Sequence, residues 1–276
     1  MGYKVIFLFA AMLASSMVMA AEPLVLARAP QLSAAKTSMT WTPFVDYLSE
    51  KTGVKIQLKV YDDRNVFESD VRKGNVAFYF GNPGYGVVGH MQHGYVPLVR
   101  SDRKLLEGII VVRKDSGITD VMQLAGRSIA FPSKTAFAAS LYIRSRIDSD
   151  HGILYQPVYT GSHDNTYRTV LVGKAIAGGG VKRTLESEDR RNREQLNIIY
   201  TTPGMKAHPL MAHPEVDEKT RQAIQQAILD LDTNVDGKKM LKKIKIQKPV
   251  IANYARDYKP IEKSAAAMYS YLLNNK

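Results

Sequence analysis

The alternation of short apolar strands with amphipathic helices is the feature that most constrains this chain. Residues 24–28 and 76–80 are apolar enough to form buried strands, and residues 54–60 alternate apolar and polar side chains. Between them, residues 41–52 and 65–72 show helical spacing and are followed closely by glycine. The order strand, helix, strand, helix, strand predicts a parallel α/β unit with crossover helices.

A second unit of the same kind follows. Its predicted segments are a strand at 109–113, a short helix at 121–125, a strand at 128–131, helices at 136–147 and 160–173, and a glycine-rich strand at 175–181. The tail beyond residue 214 is predicted to be helical, with helices at 217–231 and 261–273. Open α/β sheets bind ligands beyond the carboxyl ends of their strands. Those ends are predicted at residues 80–85, 131–135 and 159–164.

The first twenty residues have the form of a secretory signal peptide. Lys4 precedes an apolar run, and Val18-Met19-Ala20 supplies the small-residue ending. No later segment approaches the roughly 20 apolar residues that a transmembrane helix needs. The sequence contains no cysteine, so we expect neither a disulfide framework nor a lipid-accepting thiol. Together these features predict a protein released into the periplasm.

The formal net charge of +12 comes from 38 lysines and arginines against 26 acidic residues. Such a balance fits nucleic acid, a membrane surface or a small anionic ligand. The export signal argues against nucleic acid, and a solvated basic surface would account for most of these lysines and arginines. The lysine-rich run at residues 238–248 is interpreted as a solvated surface, with docking of a partner as the alternative.

Four short motifs stand in a recognisable order: residues 47–54 (Tyr-Leu-Ser-Glu-Lys-Thr-Gly-Val), residues 115–118 (Asp-Ser-Gly-Ile), residues 161–164 (Gly-Ser-His-Asp), and residues 202–204 (Thr-Pro-Gly) with His208-Pro209 after them. In this order and spacing the chain resembles the phosphonate-binding family of ABC-transporter periplasmic proteins over nearly all of its mature length. The resemblance implies the α/β fold of a type II periplasmic binding protein.

That fold has two lobes, each a mixed, mostly parallel sheet flanked by helices, with the ligand in the cleft between the lobes. The resemblance implies a first lobe of residues 21–111 and 201–276 and a second lobe of residues 112–200, after the signal peptide at 1–20. It also implies a monomer whose lobes close on the ligand and present a new surface to a membrane partner.

Three departures from the family pattern change the expected ligand. The family's Ser-Thr-Ser at a helix start is comparable with Phe137-Ala138-Ala139-Ser140, so Ser133 and Thr135 are expected to supply the hydroxyl donors. Aminophosphonate binders carry acidic residues where this chain has Arg183 and His208, and a binding-site tyrosine falls at Arg64. These substitutions favour a more anionic ligand than 2-aminoethylphosphonate, such as phosphate, phosphite or an alkylphosphonate.

Further candidates lie at the predicted strand ends. His163, at a helix start and followed by Asp164, can donate to an oxyanion, and Ser162 adds a hydroxyl. Tyr85 and Tyr159 are placed where an aromatic ring could wall the ligand or pack in the core. The glycines at 178–180 allow close approach of either a ligand or a neighbouring helix.

The chemistry of the chain favours binding over catalysis. Ser162, His163 and Asp164 are consecutive and cannot form a catalytic relay, and no nucleophile is accompanied by a placed base. His90 and His93 lack further ligands, so no metal or cofactor is predicted. We therefore expect a periplasmic solute-binding protein that delivers a phosphorus oxyanion to an ABC permease. The alternative is a sensor that presents its closed form to a membrane histidine kinase.

Overall fold

The computed structural model describes residues 22–30, 33–103, 105–265 and 270. The predicted signal peptide lies outside these residues, as does most of the predicted helix at 261–273. No helix within the described part of the chain is long and apolar enough to cross a membrane.

The described residues form two sheets and the helices around them. The strands in chain order are β1 (Leu24–Arg28), β2 (Ile56–Lys59), β3 (Phe78–Phe80), β4 (Val96–Ser101), β5 (Gly108–Arg113), β6 (Ser128–Phe131), β7 (Gln156–Tyr159), β8 (Ala177–Val181), β9 (Leu196–Thr201), β10 (Pro209–Ala212) and β11 (Pro249–Ile251). The α-helices are α1 (Ala34–Thr52), α2 (Arg64–Lys73), α3 (Pro83–His93), α4 (Tyr142–His151), α5 (His163–Leu171), α6 (Lys182–Glu186), α7 (Arg190–Arg193), α8 (Glu218–Asp230), α9 (Val235–Ile244) and α10 (Tyr254–Asp257).

The first sheet has the order β11-β4-β10-β3-β1-β2, and the second has the order β7-β6-β8-β5-β9. In the first sheet β1 pairs in parallel with β2 and β3, whereas β10 is antiparallel to β3 and β4. In the second sheet β6 is parallel to β7 and β8, whereas β5 is antiparallel to β8 and β9. Both sheets are therefore mixed. We call each sheet with its helices the first lobe and the second lobe.

Local sequence signals explain most helix ends. Ser33 accepts a hydrogen bond from the Lys36 N–H at the start of α1, and Gly53, at φ 68°, ends it in the left-handed conformation. This helix begins seven residues earlier than predicted, directly after the Ser33 cap, and Pro43 lies inside it. Gly152, at φ 62°, ends α4 in the same way.

Two predicted elements differ from the structure. The helix predicted at 136–147 starts with a π-helical turn at Phe137–Leu141, where the Ser140 and Leu141 N–H groups share the Ala136 carbonyl. The tail beyond residue 214 is not wholly helical, because β11 forms the edge of the first sheet beside β4. A three-residue strand carries too little periodicity to be distinguished from a loop.

The chain crosses from the first lobe to the second after β4, and it returns to the first lobe after β9. Leu106 and Met205 form an isolated antiparallel bridge that joins the two connections. Sheet membership therefore changes between residues 101 and 108 and between residues 201 and 209, a few residues outside the predicted limits at 112 and 200.

Each lobe has its own apolar core. Trp41, Phe44 and Phe78 belong to the core of the first lobe, and Ile110 and Phe131 to that of the second. A further buried cluster combines side chains of both lobes, with Tyr85 and Ala29 from the first and Phe137, Ala138 and Ala139 from the second. Ala138 and Ala139 are therefore buried among apolar side chains.

Candidate ligand-binding site

The last residue of β1 is a buried arginine. Arg28 is 5% exposed, and its guanidinium carbon lies 5.2 Å from the ring centre of Trp41 and 5.1 Å from that of Phe80. Burial lowers the pKa of Arg28 to about 10, so the side chain remains charged at neutral pH. Stacking on two aromatic rings offsets part of the cost of burying this charge.

A cavity of about 370 Å³ opens between the two lobes. Its lining residues are Asp164, Arg183, Thr184, Ser187, Glu188 and Lys245. The first five belong to α5, to α6 and to the residues that follow α6, in the second lobe. Lys245 directly follows α9, whose apolar side chains pack in the core of the first lobe. A ligand in this cavity would therefore touch both lobes.

Lys245 is held in an unusual backbone conformation. Its φ of 67° and ψ of 28° are left-handed, at the position after a helix where glycine is strongly preferred. Lys245 is an exposed residue, but partial burial of its side chain desolvates the ammonium group. This desolvation, together with the charges of Arg183 and Arg28, lowers the pKa of Lys245. Arg183 and Lys245 both line the cavity, and the charges of Arg183 and Arg28 both act on Lys245. We call these three residues the cation cluster.

His208 lies against the cation cluster. Its imidazole stacks on Phe80 with 5.9 Å between ring centres. Burial lowers the pKa of His208 to about 3, and the charges of Arg28, Arg183 and Lys245 act in the same direction. The imidazole is therefore neutral at pH 7 and can donate one hydrogen bond without adding a fourth charge.

The start of α5 forms the second-lobe side of the site. Ser162 caps the helix by accepting from the Asn165 N–H at 3.2 Å, so its hydroxyl oxygen is already used as an acceptor. His163 Nδ1 lies 3.4 Å from Thr184 Oγ1, which ties the imidazole to the cavity wall. Burial lowers the pKa of His163, and the Asp164 carboxylate opposes this shift. The helix start adds partial positive charge at the same edge.

Arg64 lies in a different environment from Arg183. It is the first residue of α2, and the pKa values of Glu68 and Tyr85 both respond to its charge. Glu68 is 5% exposed and accepts a hydrogen bond from the Tyr85 hydroxyl. Burial raises the pKa of Glu68, whereas the Tyr85 hydrogen bond and the Arg64 charge lower it. We call these three residues the Arg64 network. Tyr85 is 1% exposed, a core position rather than a wall of the cavity.

The remaining candidates do not line the cavity. Tyr159 lies on the edge strand β7, and its hydroxyl accepts a hydrogen bond from Arg144 at 3.1 Å. Ser133 and Thr135 lie between β6 and the π-helical turn, where Ser133 is half-buried and Thr135 is buried. Their role as ligand donors stays a prediction.

The three glycines of β8 contact helices rather than a cavity. A Cβ on Gly178 would lie 2.8 Å from Val170 Cγ2, and one on Gly180 would lie 2.2 Å from the Tyr167 hydroxyl, both residues of α5. On the other face, a Cβ on Gly179 would lie 2.6 Å from the Ala139 carbonyl. Of the two alternatives left open by the sequence, the structure favours close packing of helices on the strand.

A second cavity, of about 240 Å³, lies near the connections between the lobes. It is also lined by basic residues, among them Arg100 and Lys206. Arg100, however, contacts Asp102 at 2.6 Å and Asp257 at 3.2 Å. Because this buried arginine already has two carboxylate partners, the second cavity is the weaker candidate for anion binding.

The site residues that sequence reasoning missed are Arg28 and Lys245. Arg28 is the last residue of a predicted strand, so the rule that ligands bind at the carboxyl ends of strands could have found it. Lys245 belongs to the lysine-rich run interpreted as solvated surface, and its left-handed conformation is visible only in the structure.

Comparison with known proteins identifies the family and the fold. Residues 26–258 match the family described as the periplasmic substrate-binding protein of phosphonate ABC transporters, and the chain belongs to this family. Its fold is that of a two-lobed type II periplasmic binding protein, as the solved structures below show.

Three similar structures have low sequence identity. PhnD1 from Prochlorococcus marinus, in complex with methylphosphonate, is 18% identical with a TM-score of 0.72, over 89% of this chain and 97% of that one. XAC2383 from Xanthomonas citri, bound to chloride ion, is 16% identical with a TM-score of 0.76, over 92% and 99%. A binding protein component of an ABC phosphonate transporter (PA3383) from Pseudomonas aeruginosa is 12% identical with a TM-score of 0.67, over 91% and 95%.

Proposed function

We propose that this protein captures a phosphorus oxyanion in the periplasm, in the form of phosphate, phosphite or an alkylphosphonate, and delivers it to an ABC importer. One observation carries the proposal: cationic side chains from both lobes meet at a cavity between them. Lys245 comes from the first lobe and Arg183 from the second, and the charge of Arg28, buried at the end of β1, acts on Lys245. Guanidinium groups bind tetrahedral oxyanions with paired hydrogen bonds.

The same arrangement supports a clamp. Like charges on the two sides of a cleft repel each other, and a bound anion replaces that repulsion by attraction to both sides. The anion would therefore favour the closed form, which is the form that a permease recognises in this proposal. The protein is proposed to bind its ligand without covalent chemistry and as a monomer.

The charge of the site disfavours a ligand with an ammonium group. An ammonium beside Arg183 and Lys245 would add a further like charge at a position where the charges of Arg183 and Arg28 already lower the pKa of Lys245. We therefore propose that 2-aminoethylphosphonate is excluded. Presentation of the closed form to a histidine kinase stays the alternative hypothesis, and the neighbouring genes distinguish the two.

The proposal is tested by thermal shift and calorimetry with phosphate, phosphite, methylphosphonate, 2-aminoethylphosphonate and sulfate. A ligand at about 100 times its Kd stabilises the native state by about 2.7 kcal/mol, which is a measurable rise in melting temperature. We expect a response to at least one phosphorus anion and none to 2-aminoethylphosphonate. ATP is added to this panel of compounds because XAC2383 was also solved bound to ATP.

The expected response should be lost in Arg183→Gln. Arg191→Gln, on the exposed helix α7, removes the same charge away from the cavity and serves as the matched control. A response to sulfate alone, or to no phosphorus compound, would contradict the proposed function. A response to 2-aminoethylphosphonate would contradict the argument from charge.

A further inference from the structure

We propose that the exposed side of α9 docks the protein on a membrane surface that carries anionic lipid headgroups. The docking surface consists of Lys238, Lys239, Lys242 and Lys243, and we call it the lysine face. The inference goes beyond the proposed function, because these four lysines are not among the residues that line the cavity.

The packing of α9 fixes the direction of the lysine face. Gly237, Leu241 and Ile244 are buried, and the last two belong to the apolar core of the first lobe. A Cβ on Gly237 would lie 2.0 Å from the Leu231 carbonyl oxygen, so this side of the helix is in close contact with the preceding chain. The opposite side of α9 therefore faces solvent.

On that opposite side the lysines form one continuous arc. At about 100° per residue, positions 238, 239, 242 and 243 span about 140° of the helix circumference. All four lysines are exposed. Val235, which is 69% exposed, lies on the same arc in the first turn. From residue 238 to its end, the exposed side of α9 is therefore a positively charged surface.

Most of the charge on the lysine face is not balanced within the described part of the chain. There, Lys239 has a carboxylate partner, Asp236 at 3.0 Å, and the other three lysines have none. The short basic helix α7 differs, since its Arg190 contacts Glu194 at 2.7 Å. The lysine face therefore keeps most of its charge for an external partner.

The stability of the helix does not account for this pattern. Lys242 and Lys243 lie in the last turn, where positive charge interacts favourably with the helix dipole. Lys238 lies before that turn, and like charges four residues apart, such as Lys238 and Lys242, destabilise a helix. Glutamine has about the same helix propensity as lysine. A helix that needed only a solvated surface would not require this set of like charges.

The composition of the segment favours a lipid surface over a protein as the partner. Residues 235–248 contain neither arginine nor an aromatic residue. Protein interfaces are enriched in arginine, tyrosine and tryptophan and depleted in lysine. Clusters of about four to eight basic residues bind anionic lipid surfaces, and each lysine near the surface strengthens binding about fivefold.

The lysine face leads to the cavity. Lys245 directly follows α9 and lines the cavity between the lobes. A protein docked through α9 would therefore hold its cavity near the bilayer, which contains the importer of the proposed function. This consequence rests on the proposed function, whereas the docking itself does not.

Vesicle flotation with three forms of the full-length protein tests the proposal. The first form is the wild type. The second, the α9 variant, combines Lys238→Gln, Lys239→Gln, Lys242→Gln and Lys243→Gln. The third, the matched control, combines Lys36→Gln, Lys73→Gln, Lys114→Gln and Lys174→Gln. The control lysines are also exposed and lie in four separate segments, so both variants lose four surface charges. Any contribution of the apolar run at residues 5–14 would be the same in all three forms.

We expect the wild type to bind phosphatidylcholine vesicles that contain about one third phosphatidylglycerol at least about tenfold more tightly than vesicles of phosphatidylcholine alone. Raising the ionic strength from about 0.01 M to about 1 M shortens the Debye length from about 30 Å to about 3 Å and should release the protein. The α9 variant should bind the anionic vesicles at least about tenfold more weakly than the wild type, and the control less than about threefold more weakly. The α9 variant should keep the melting temperature of the wild type and its response to phosphorus anions.

The outcomes separate this inference from the proposed function. Equal affinity for neutral and anionic vesicles, or equal losses in the two variants, would overturn the inference. Failure of the wild type to bind anionic vesicles would also overturn it, and would assign the lysine face to solvent or to an acidic protein. These results leave the proposed function standing, because they involve no phosphorus ligand. Failure to respond to any phosphorus compound would contradict the proposed function and leave the docking intact.

Discussion

The cation cluster and the Arg64 network contain arginines that were predicted on the same grounds, yet their surroundings differ. Arg183 belongs to a group of cations whose members lower the pKa of Lys245 and His208. Arg64 instead acts on a buried carboxylate, Glu68, which lies on the next turn of the same helix. Opposite charges that lie three or four residues apart on a helix attract each other. Much of the Arg64 charge is therefore balanced within the protein.

The comparison shows that the charge of a residue and the charge of its site are different quantities. A sequence gives the formal charge at each position, but the field that a ligand meets depends on which side chains lie nearby. Arg183 and Lys245 of the cation cluster line a cavity that a bound anion could enter, whereas the charge of Arg64 acts on a carboxylate of its own helix. The following predictions test this difference, from the largest expected effect to the smallest.

The largest effect is expected from removing each arginine in turn. Arg183→Gln should weaken binding of the phosphorus anion about 10- to 100-fold, because a charge-assisted hydrogen bond is lost. Arg64→Gln should change the affinity less than about threefold, because Glu68 balances much of that charge. Calorimetry on both variants measures the two effects directly. Equal losses in the two variants would remove the distinction between the two regions.

Sequence reasoning predicted the alternating elements well because their apolar periodicity is local. The strand predicted at 128–131 coincides with β6, and the helix predicted at 217–231 differs from α8 by one residue at each end. Strands whose pairing partners are distant in the chain were harder to predict from the sequence. The strand β10 lies between β3 and β4, which come more than a hundred residues earlier, and no local pattern encodes that pairing.

The candidate site was predicted in part. His163, Asp164, Arg183 and His208 lie at or beside the cavity, whereas Tyr159 does not. The difference has a physical reason: a strand end is a good predictor of position only in the middle of a sheet. β7 is an edge strand, so its last residue lies away from the centre of the sheet.

The next largest effect is expected from changing how Arg28 of the cation cluster packs on its aromatic neighbours. Arg28→Lys keeps the charge but loses the planar guanidinium that stacks on Trp41 and Phe80. We expect the free energy of unfolding to fall by about 1–2 kcal/mol in urea titrations. Arg72→Lys, in the last turn of α2, is the control for a change that keeps the charge. An unchanged stability in Arg28→Lys would mean that the stacking contributes nothing.

A smaller effect is expected in the Arg64 network. Burial raises the pKa of Glu68, so the folded state prefers the protonated acid. The stability that this group contributes is present below its ordinary pKa of 4.5 and is lost as the pH rises through the raised value. Glu68→Gln removes this loss and keeps an acceptor for Tyr85. The variant should therefore gain stability relative to the wild type as the pH rises from 3 to 8.

Urea unfolding of both proteins across this pH range measures that gain. Glu50→Gln, on the exposed side of α1, controls for the loss of one formal negative charge. If the difference in unfolding free energy between Glu68→Gln and the wild type shrinks as the pH rises, Glu68 is stabilised as the carboxylate. That outcome would mean that folding lowers the pKa of Glu68 rather than raising it.

The smallest effect is expected in the titration of His208. Its pKa is lowered from 6.5 to about 3, so the stability it contributes is complete above pH 6.5 and is lost as the pH falls toward 3. NMR should show no titration of this imidazole above pH 5 in the ligand-free protein. Arg183→Gln should raise the pKa and Arg64→Gln should leave it unchanged, because Arg183 but not Arg64 is among the charges that act on His208. A bound anion should also raise it, and titration near 6.5 without ligand would show that neither burial nor the cation cluster lowers the pKa of His208.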